Sequence, residues 1–437
     1  MPTEGHDHDK RGRPAGRTAG PPTAEHQDAP AAGHGGTGGL LTAAFAPALT
    51  GLLALGSVLQ AQRPALLGVV CPLVLVAVVN AVLTVRAVRA AREPVPATPE
   101  PGYAVAFLAT YAPGREPLSA VRAVLEGAVR LRHPGPLDVW LLDEGDDPEA
   151  RMLCAELGVH HFTRRGVPEW NRARGPHEAG AEHGNHNAWI AKHGDDYGLL
   201  ACAAPGHVPH PGFLERTTGW FRDADTAFVV GPQGEGADGP GPDPVHRALV
   251  QCAGNHHGAP LLSGSGVVVR VEALRGAGGF RAPATGDIAA GLEMHRRHNP
   301  LTGRHWRSVH SADEPAAREV SGARRDPSPG LRRTLLPLYG KALFRVPAGR
   351  LLGYTLLLLH RPVTVVGWAL CALTWLLFPA TAWAALTLPA ALAPTAVSSL
   401  ARLRERRRQE ARGREALPLT EAERAPAAAA GTPAPGG

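Results

Sequence analysis

Apolar segments of membrane-spanning length lie near both ends of this 437-residue chain and enclose a charged middle. The uncharged stretch Leu40–Gln60 has the roughly 20 residues that a helix needs to cross the hydrocarbon core of a bilayer, and Ala65–Val85 follows it closely. Two more stretches of this kind, Val363–Phe378 and Ala382–Leu400, lie near the other end. The pattern predicts a membrane protein with paired spans on either side of a soluble domain.

The distribution of arginine predicts how such a protein is oriented. Arg86, Arg89 and Arg92 follow the second span and a basic run at 402–414 follows the fourth, whereas the connections within each pair of spans carry only Arg63. By the positive-inside rule, both termini and the soluble domain lie in the cytosol of a multi-pass plasma-membrane protein. Because these charges adjoin apolar segments and not a face with interleaved aromatic residues, the predicted partner is the lipid bilayer and not nucleic acid.

Composition divides the rest of the chain into further units. Residues 1–38 and 402–437 lack the apolar surface that would offset the entropy of ordering, so both are predicted to be disordered tails, the second one basic. Between Leu335 and His360, basic residues such as Lys341 interrupt the apolar sequence, which suits amphipathic helices in the membrane interface. The units predicted in between are two spans at 39–92, the soluble domain at 93–330, interface helices at 331–361 and two spans at 362–401.

Strand-like and helix-like patterns alternate in the soluble domain. Tyr103–Tyr111 and Leu137–Leu142 are buried-strand runs, each followed by a helical pattern, at Leu118–Leu131 and Pro148–Leu157. Alternation of this kind predicts a parallel sheet with helical crossovers. Further strands are predicted at Val159–Thr163, Leu199–Ala204 and Thr226–Val230, and a strand pair or bent strand at Pro260–Val271. Further helices are predicted at Asn187–His193, Val245–His256, Glu272–Gly278 and Thr285–His295, and polar irregular segments at 164–187 and 311–330.

Leu199–Ala204 ends abruptly at Pro205-Gly206, before a helical start at Phe213. A buried strand that stops at a turn and leads to a helix places its last residues at the carboxyl edge of a sheet, where open α/β sheets bind ligands. The sequence therefore predicts a ligand site at this edge.

Several motifs follow one another along this domain. They are Thr110-Tyr111 with Glu116-Pro117, LDVWLLDEG at 137–145, GAEHGNHN at 180–187, GHVPHPGFLERT at 206–217, GAPLLSGSGVVVRVEALRGAGGF at 258–280 and TGDIAAGLEMH at 285–295. In this order they resemble the inverting family 2 glycosyltransferases, specifically the membrane-integral cellulose-synthase-like group. The resemblance implies an α/β GT-A-like cytosolic domain flanked by transmembrane helices, a UDP-sugar as ligand, polysaccharide biosynthesis, and other synthase subunits as partners.

The resemblance also assigns roles to individual positions. Asp287 matches the general base that takes a proton from the acceptor hydroxyl, and a carboxylate favoured by the helix dipole is the alternative reading of the same residue. Arg332 is what remains of a Q-x-x-R-W motif that positions the acceptor and the pyrophosphate. The positions matched to nucleotide binding are Thr110, Tyr111, Glu116, Asp143 and Glu144.

The cofactor implied by the resemblance is Mg²⁺ or Mn²⁺, held by an Asp-x-Asp pair. Those two positions are Ala204 and Gly206 here, so the metal site is expected to be degraded. Glu182 stands where the family has a lysine, which reverses a charge near the phosphates. A Zn²⁺ site of imidazoles is the alternative, with its candidate ligands at His177, Glu182, His183, His186 and His207.

Three functions remain open at this point. The chain is a polysaccharide-synthase-like protein with a degraded transfer site, binding a nucleotide weakly or assisting an active synthase. Alternatively it is an active inverting hexosyltransferase that uses a UDP-sugar, with Asp287 as base and Arg332 or Arg333 in place of the metal. The third reading is a non-catalytic membrane scaffold without a ligand.

Overall fold

A mixed sheet of seven strands forms the centre of the soluble domain in the computed structural model. The structure describes residues 29–30, 37–94, 97–99, 102–203, 207–231, 244–262, 266–281, 286–311, 317–319, 331–378, 383 and 385–393. The strands are β1 (Ala29–Pro30), β2 (Arg92–Glu93), β3 (Val105–Tyr111), β4 (Leu137–Asp143), β5 (His160–Phe162), β6 (Leu199–Cys202), β7 (His207–Pro209), β8 (Thr226–Val230), β9 (Val267–Arg270), β10 (Arg307–His310) and β11 (Ala317–Glu319). The helices are α1 (Thr37–Gln60), α2 (Leu67–Ala90), α3 (Leu118–Val129), α4 (Pro148–Leu157), α5 (Glu182–His193), α6 (Phe213–Thr217), α7 (Pro244–His257), α8 (Val271–Gly276), α9 (Gly286–Arg296), α10 (Leu331–Ala342) and α11 (Leu352–Leu377).

Strand β3 lies inside the sheet and shows why the domain has a core on both faces. Its side chains alternate between two apolar clusters: Phe107 packs on the face of α3 and α4, and Leu108 on the face of α5 and α8. Both residues have no exposed surface. A strand buried on both faces is apolar throughout, which is how Tyr103–Tyr111 reads in the sequence.

The strand order identifies the fold. Across the sheet the order is β5-β4-β3-β6-β9-β8-β10, and β9 runs antiparallel to both of its neighbours while the other pairs are parallel. By position in the chain these strands rank 3-2-1-4-6-5-7. This is the arrangement expected of a GT-A-like domain, so the predicted fold class is confirmed for the soluble part of the chain.

Strand β9 is the exception to the parallel sheet that the alternation predicts, because it runs antiparallel to β6 and β8. Its residues Val267, Val268 and Val269 are buried, and an apolar run of this kind carries no information about strand direction. The strand also covers only Val267–Arg270 of the predicted Pro260–Val271.

Helix α5 begins earlier than the sequence pattern indicates. Residues 164–187 read as a polar loop, yet the helix starts at Glu182 and buries His183, Asn185 and Asn187. A helix with buried polar residues lacks the apolar periodicity by which helices are recognised. Two short strands likewise fall in segments predicted to be irregular: β1 within the N-terminal tail, and β11, which pairs with β7.

Helices α1, α2 and α11 pack together beside the domain. Within the described residues, one helix, Pro64–Ala90, is long and apolar enough to cross a membrane; a second counts if the bent pair Ala348–Leu359 and Pro362–Leu377 forms one span. The apolar part of α1, Ala44–Gln60, is shorter than a span. The fourth predicted span is described only at residue 383 and at 385–393, which are helical. Four spans therefore remain a prediction.

Helix α11 runs across the boundary predicted between the interface helices and the third span. It begins at Leu352, ten residues before the unit predicted at 362–401, and its two halves meet at an angle of 47°. Pro362 lies at this bend, and proline bends a helix because it lacks the N–H that would continue the helical hydrogen bonds. Ahead of it, α10 buries Leu335 and leaves Leu336 exposed, and the amphipathic interface helices stay a prediction.

Candidate functional site

Six of the seven strands end at the same edge of the sheet, and the predicted nucleotide-binding residues gather there. Thr110 and Tyr111 end β3, and Tyr111 is opposite Asp143 at the end of β4. Glu144 follows directly, and its N–H donates to the carbonyl oxygen of Tyr111 over 3.0 Å. Glu116 is close by, since its Oε2 accepts from the Ala112 N–H at 3.2 Å.

Asp143 has no exposed surface and its two oxygens hold the turn that follows β4. Oδ1 accepts from the Gly145 N–H at 2.9 Å, and Oδ2 accepts from the Asp147 N–H at 2.5 Å. His161 Nε2 lies 3.1 Å from the same Oδ2. The carboxylate that the resemblance assigns to the nucleoside is therefore occupied by the protein itself.

Glu144 is bound in the same way, by a residue that the sequence did not single out. Arg164 is fully buried and its Nε and Nη2 donate to the two carboxylate oxygens of Glu144 over 3.0 and 2.8 Å. The Gly180 N–H donates to Glu144 Oε1 over 2.9 Å. This bidentate pair fixes the loop that leads to α5 and leaves Glu144 a structural role.

Two oxygen atoms at this edge are buried without a hydrogen-bond partner among the described residues: Thr110 Oγ1 and Asn185 Oδ1. The amide of Asn185 donates to the Leu142 carbonyl over 3.1 Å, which fixes the orientation of the side chain. Unsatisfied buried polar atoms are rare in native proteins and often mark a place for a ligand or water. Asn185 could be found in the sequence only as part of the GNHN segment.

The hydroxyl of Tyr111, by contrast, has a hydrogen-bond partner. Its hydroxyl donates to Asp147 Oδ2 over 3.0 Å. Burial, together with this bond to the carboxylate, raises the pKa of Tyr111 to about 12. The ring is 6% exposed, so the phenol is neutral and largely enclosed.

The imidazole-rich zinc site does not form among the described residues. His183 Nε2 contacts the Gly175 carbonyl at 3.3 Å, and His186 Nδ1 contacts that of Glu182 at 3.0 Å. In the part of the chain that the structure describes, one group of ligand atoms lies within 4.8 Å of one another, formed by Asp143, Asp146 and His161. Asp146 there pairs with Arg151, which lowers the pKa of the Asp146 carboxyl, so the group is read as an ion-pair cluster.

Asp287 lies in the first turn of α9 and is exposed. Burial raises the pKa of the Cys202 thiol, and the charges of Asp287 and Glu182 raise it further. The charge of the candidate base thus acts on the sulfur at the end of β6, the edge where β3 and β4 also end.

Of the residues that the structure describes at this edge, Asp143 and Glu144 bind within the protein, so they do not fit Mg²⁺ or Mn²⁺ as the resemblance implies. Ala204 and Gly206 lie outside the described residues, and neither has a side-chain oxygen. Cys202, with its raised pKa, stays a neutral thiol, which is a poor ligand for these hard cations. Arg332 lies in α10, and its side chain is outside the described part of the structure.

Comparison with known proteins gives a partial match. A UDP-forming cellulose synthase catalytic subunit from Xanthomonas axonopodis pv. citri (strain 306) is 31% identical over 210 residues, covering 44% of this chain and 26% of that protein. Cellulose synthase 1 from Novacetimonas hansenii is 29% identical over 227 residues, 47% of this chain and 13% of that one. No protein-family model matches the chain. The predicted resemblance to cellulose-synthase-like family 2 glycosyltransferases is confirmed for this part of the chain, which spans about a quarter or less of these relatives.

Solved structures are more distant. A mannosyltransferase from Pyrobaculum calidifontis in complex with GDP-Man and Mn²⁺ is 14% identical, with a TM-score of 0.45 and coverage of 79% of this chain and 98% of that one. Glucosyl-3-phosphoglycerate synthase from Mycobacterium tuberculosis, in complex with Mn²⁺, UDP and its product, is 14% identical, with a TM-score of 0.38 and coverage of 56% and 81%. The fold assignment rests on the strand order of the sheet and not on these likenesses.

Proposed function

We propose that this chain is a polysaccharide-synthase-like protein of the cellulose-synthase-like family 2 glycosyltransferases, in which metal-assisted sugar transfer has been lost. The similarity to cellulose synthases supports the class. The loss of metal-assisted transfer is supported by the carboxylates at the sheet edge, because Asp143 and Glu144 bind within the protein. On this proposal the chain binds a nucleotide such as UDP weakly and acts beside an active synthase.

The observation that carries this proposal is the use of the site's carboxylates within the protein. Asp143 holds a turn and Glu144 holds Arg164, while the positions of the family's metal ligands are Ala204 and Gly206. Departure of a nucleoside diphosphate builds negative charge, and a metal or an equivalent cation contributes several kcal/mol to offsetting it. Glu182 near the same edge adds negative charge where the resemblance implies a lysine. Transfer that depends on a metal is therefore not expected.

A second candidate is an active inverting hexosyltransferase, and the position of Asp287 favours it. An exposed carboxylate beside the end of β6 can accept the proton of an acceptor hydroxyl as that oxygen attacks the sugar carbon in line. The bond from that carbon to the diphosphate oxygen breaks as the new glycosidic bond forms. In this case Arg332 or Arg333 offsets the charge on the leaving group.

We also propose a location in the plasma membrane, with the sheet domain on the cytosolic side. Only 28% of the apolar stretch in Pro64–Ala90 is buried, although a core helix of a soluble protein would be mostly buried. Leu75 is 63% exposed and Val365 is 66% exposed. Apolar side chains that point outward on packed helices fit a hydrocarbon environment.

The test uses the purified full chain in lipid nanodiscs. UDP binding is measured by calorimetry, and UDP release is measured from a panel of UDP-sugars with and without Mn²⁺. We expect saturable UDP binding and no release above that of Asp287→Asn. Mn²⁺-dependent release would refute the proposal, and metal-independent release that Asp287→Asn abolishes would select the second candidate. No heat with UDP would select the scaffold without a ligand.

A gain-of-function variant makes the metal argument specific. Ala204→Asp combined with Gly206→Asp restores the carboxylate pair of the family in the same chain. We expect this variant to bind Mn²⁺ measurably in calorimetry and the unaltered chain to show no comparable heat. Equal Mn²⁺ binding by both proteins would show that other ligands hold the metal.

A further inference from the structure

Helix α9 carries Asp287 in its first turn and a fully buried histidine, His295, near its end. Its residues 289–295 are buried, whereas Asp287 at its start is exposed. The helix lies between two cores, because Met294 packs with the sheet and Leu292 packs with α10 and α11. The candidate base is thus at the open end of a helix whose other end is enclosed.

His295 joins three parts of the chain by hydrogen bonds. Its Nδ1 lies 2.9 Å from the hydroxyl of Tyr354 in α11, and its Nε2 lies 2.8 Å from Ser308 Oγ in β10. Ser308 Oγ donates in turn to the Pro260 carbonyl over 3.2 Å. With that proton committed, Ser308 accepts from His295 Nε2–H, and Tyr354 donates to Nδ1. One tautomer of a neutral imidazole satisfies every bond.

The chemistry of the pocket keeps this imidazole neutral. Burial, with Arg350 and His305 nearby, lowers the pKa of His295 to about 3. The connection from α11 through His295 to β10 is therefore a fixed element at neutral pH.

We propose that His295 is a positioning residue that fastens α9 to α11, so that the first half of α11 sets where Asp287 lies at the sheet edge. The role of Asp287 at the site rests on the proposed function, whereas the fastening of α9 to α11 does not. Tyr354 lies in the first turn of α11, and the second half of this helix bends toward α1 and α2. Movement of that helix would then reach the site through one hydrogen bond and the packing around Leu292.

Hydrogen exchange of the full chain in nanodiscs tests the fastening directly. Tyr354→Phe removes only the hydroxyl that bonds to His295 Nδ1, and Ser308→Ala removes the bond to His295 Nε2. The matched control is Tyr339→Phe, which removes a hydroxyl bonded to Thr355 Oγ1 at 2.6 Å, whereas the two ring nitrogens of His295 bond to Tyr354 and Ser308. We expect the amides of 286–296 to exchange about tenfold faster in the two test variants, the effect of one lost buried hydrogen bond, and at the unaltered rate in the control.

Unchanged exchange in α9 would overturn the proposal, and so would an equal rise in β3 and β4, because that would show only a loss of global stability. The positioning of Asp287 is read from the same exchange data, because 286–296 includes the first turn of α9. Faster exchange confined to the end of α9 around His295 would refute the positioning of Asp287. Failure of the proposed function appears separately, as absent UDP binding, and leaves the exchange result standing.

Discussion

Arg164 is predicted to be the side chain on which the loop before α5 most depends. It has no exposed surface and donates to five acceptors: both oxygens of Glu144, and the carbonyls of Trp170, Glu178 and Ala181, at 2.7 to 3.1 Å. In Arg164→Leu the Glu144 carboxylate stays 80% buried without its cation, because that side chain is only 20% exposed. Removing one partner of a buried pair costs about 3–5 kcal/mol.

This cost can be read as a change in melting temperature. For a domain of 150–250 residues each kcal/mol corresponds to about 2–4 °C, so Arg164→Leu should lower the transition by about 6–20 °C. The neighbouring Arg165 is exposed, and its side chain donates one hydrogen bond, to the Gly145 carbonyl at 2.9 Å. Arg165→Leu is therefore the control, with an expected loss of about 1 kcal/mol or less.

The assay is thermal unfolding of both variants in the same nanodiscs, followed by circular dichroism. Combining Arg164→Leu with Glu144→Leu should recover part of the loss, because the uncompensated charge is then absent. At ~2–4 °C per kcal/mol, a melting temperature of Arg164→Leu within about 2 °C of that of Arg165→Leu would contradict this prediction. A double variant that is no more stable than Arg164→Leu alone would contradict it as well.

Three further predictions concern pH, backbone and membrane. The folded pKa values of His295 and His310, about 3 and about 4, lie below the unfolded value near 6.5, so the unfolded chain takes up protons first as pH falls. Stability should be complete above pH 6.5 and fall below it, by up to about 3 kcal/mol per pH unit for the two together; a melting temperature that stays level from pH 7 to 5 would contradict this. Gly279→Ala should be much more destabilising in chemical denaturation than Gly278→Ala, since both have positive φ but only the first would place Cβ against Asn187, 2.3 Å from Oδ1; equal losses would disprove the contact. The exposed apolar faces predict that the chain stays in the membrane pellet after alkaline carbonate extraction, and recovery in the supernatant would contradict the proposed location.

Local signals made several elements predictable. Helix α4 was predicted with its observed bounds, because Asp147 caps its first turn through the Glu149 N–H and Gly158 ends it with φ of 67°. Strand β8 was also predicted as observed, since five consecutive apolar or β-branched residues between polar turns favour a buried strand. In both cases the information lies within about ten residues of sequence.

Elements whose character depends on distant partners were not predictable in this way. Helix α5 has polar residues whose burial depends on partners such as the Leu142 and Phe280 carbonyls, which come from other parts of the chain. Arg164 read as one arginine among many, and its importance follows only from the carbonyls that meet around it. The direction of β9 likewise shows only in its antiparallel pairing with β6 and β8.

The sequence by itself predicted strands joined by helical crossovers, a ligand site at the end of Leu199–Ala204 and, through its resemblance to family 2 glycosyltransferases, the GT-A-like fold class; it also shows that positions 204 and 206 carry no carboxylate. Only the tertiary structure decided that Asp143 and Glu144 bind within the protein, that Asp287 lies near Cys202, and that His295 joins α9 to α11. A residue type states which bonds a side chain can make. Which partner receives them is fixed by the packing of segments that lie far apart in the chain.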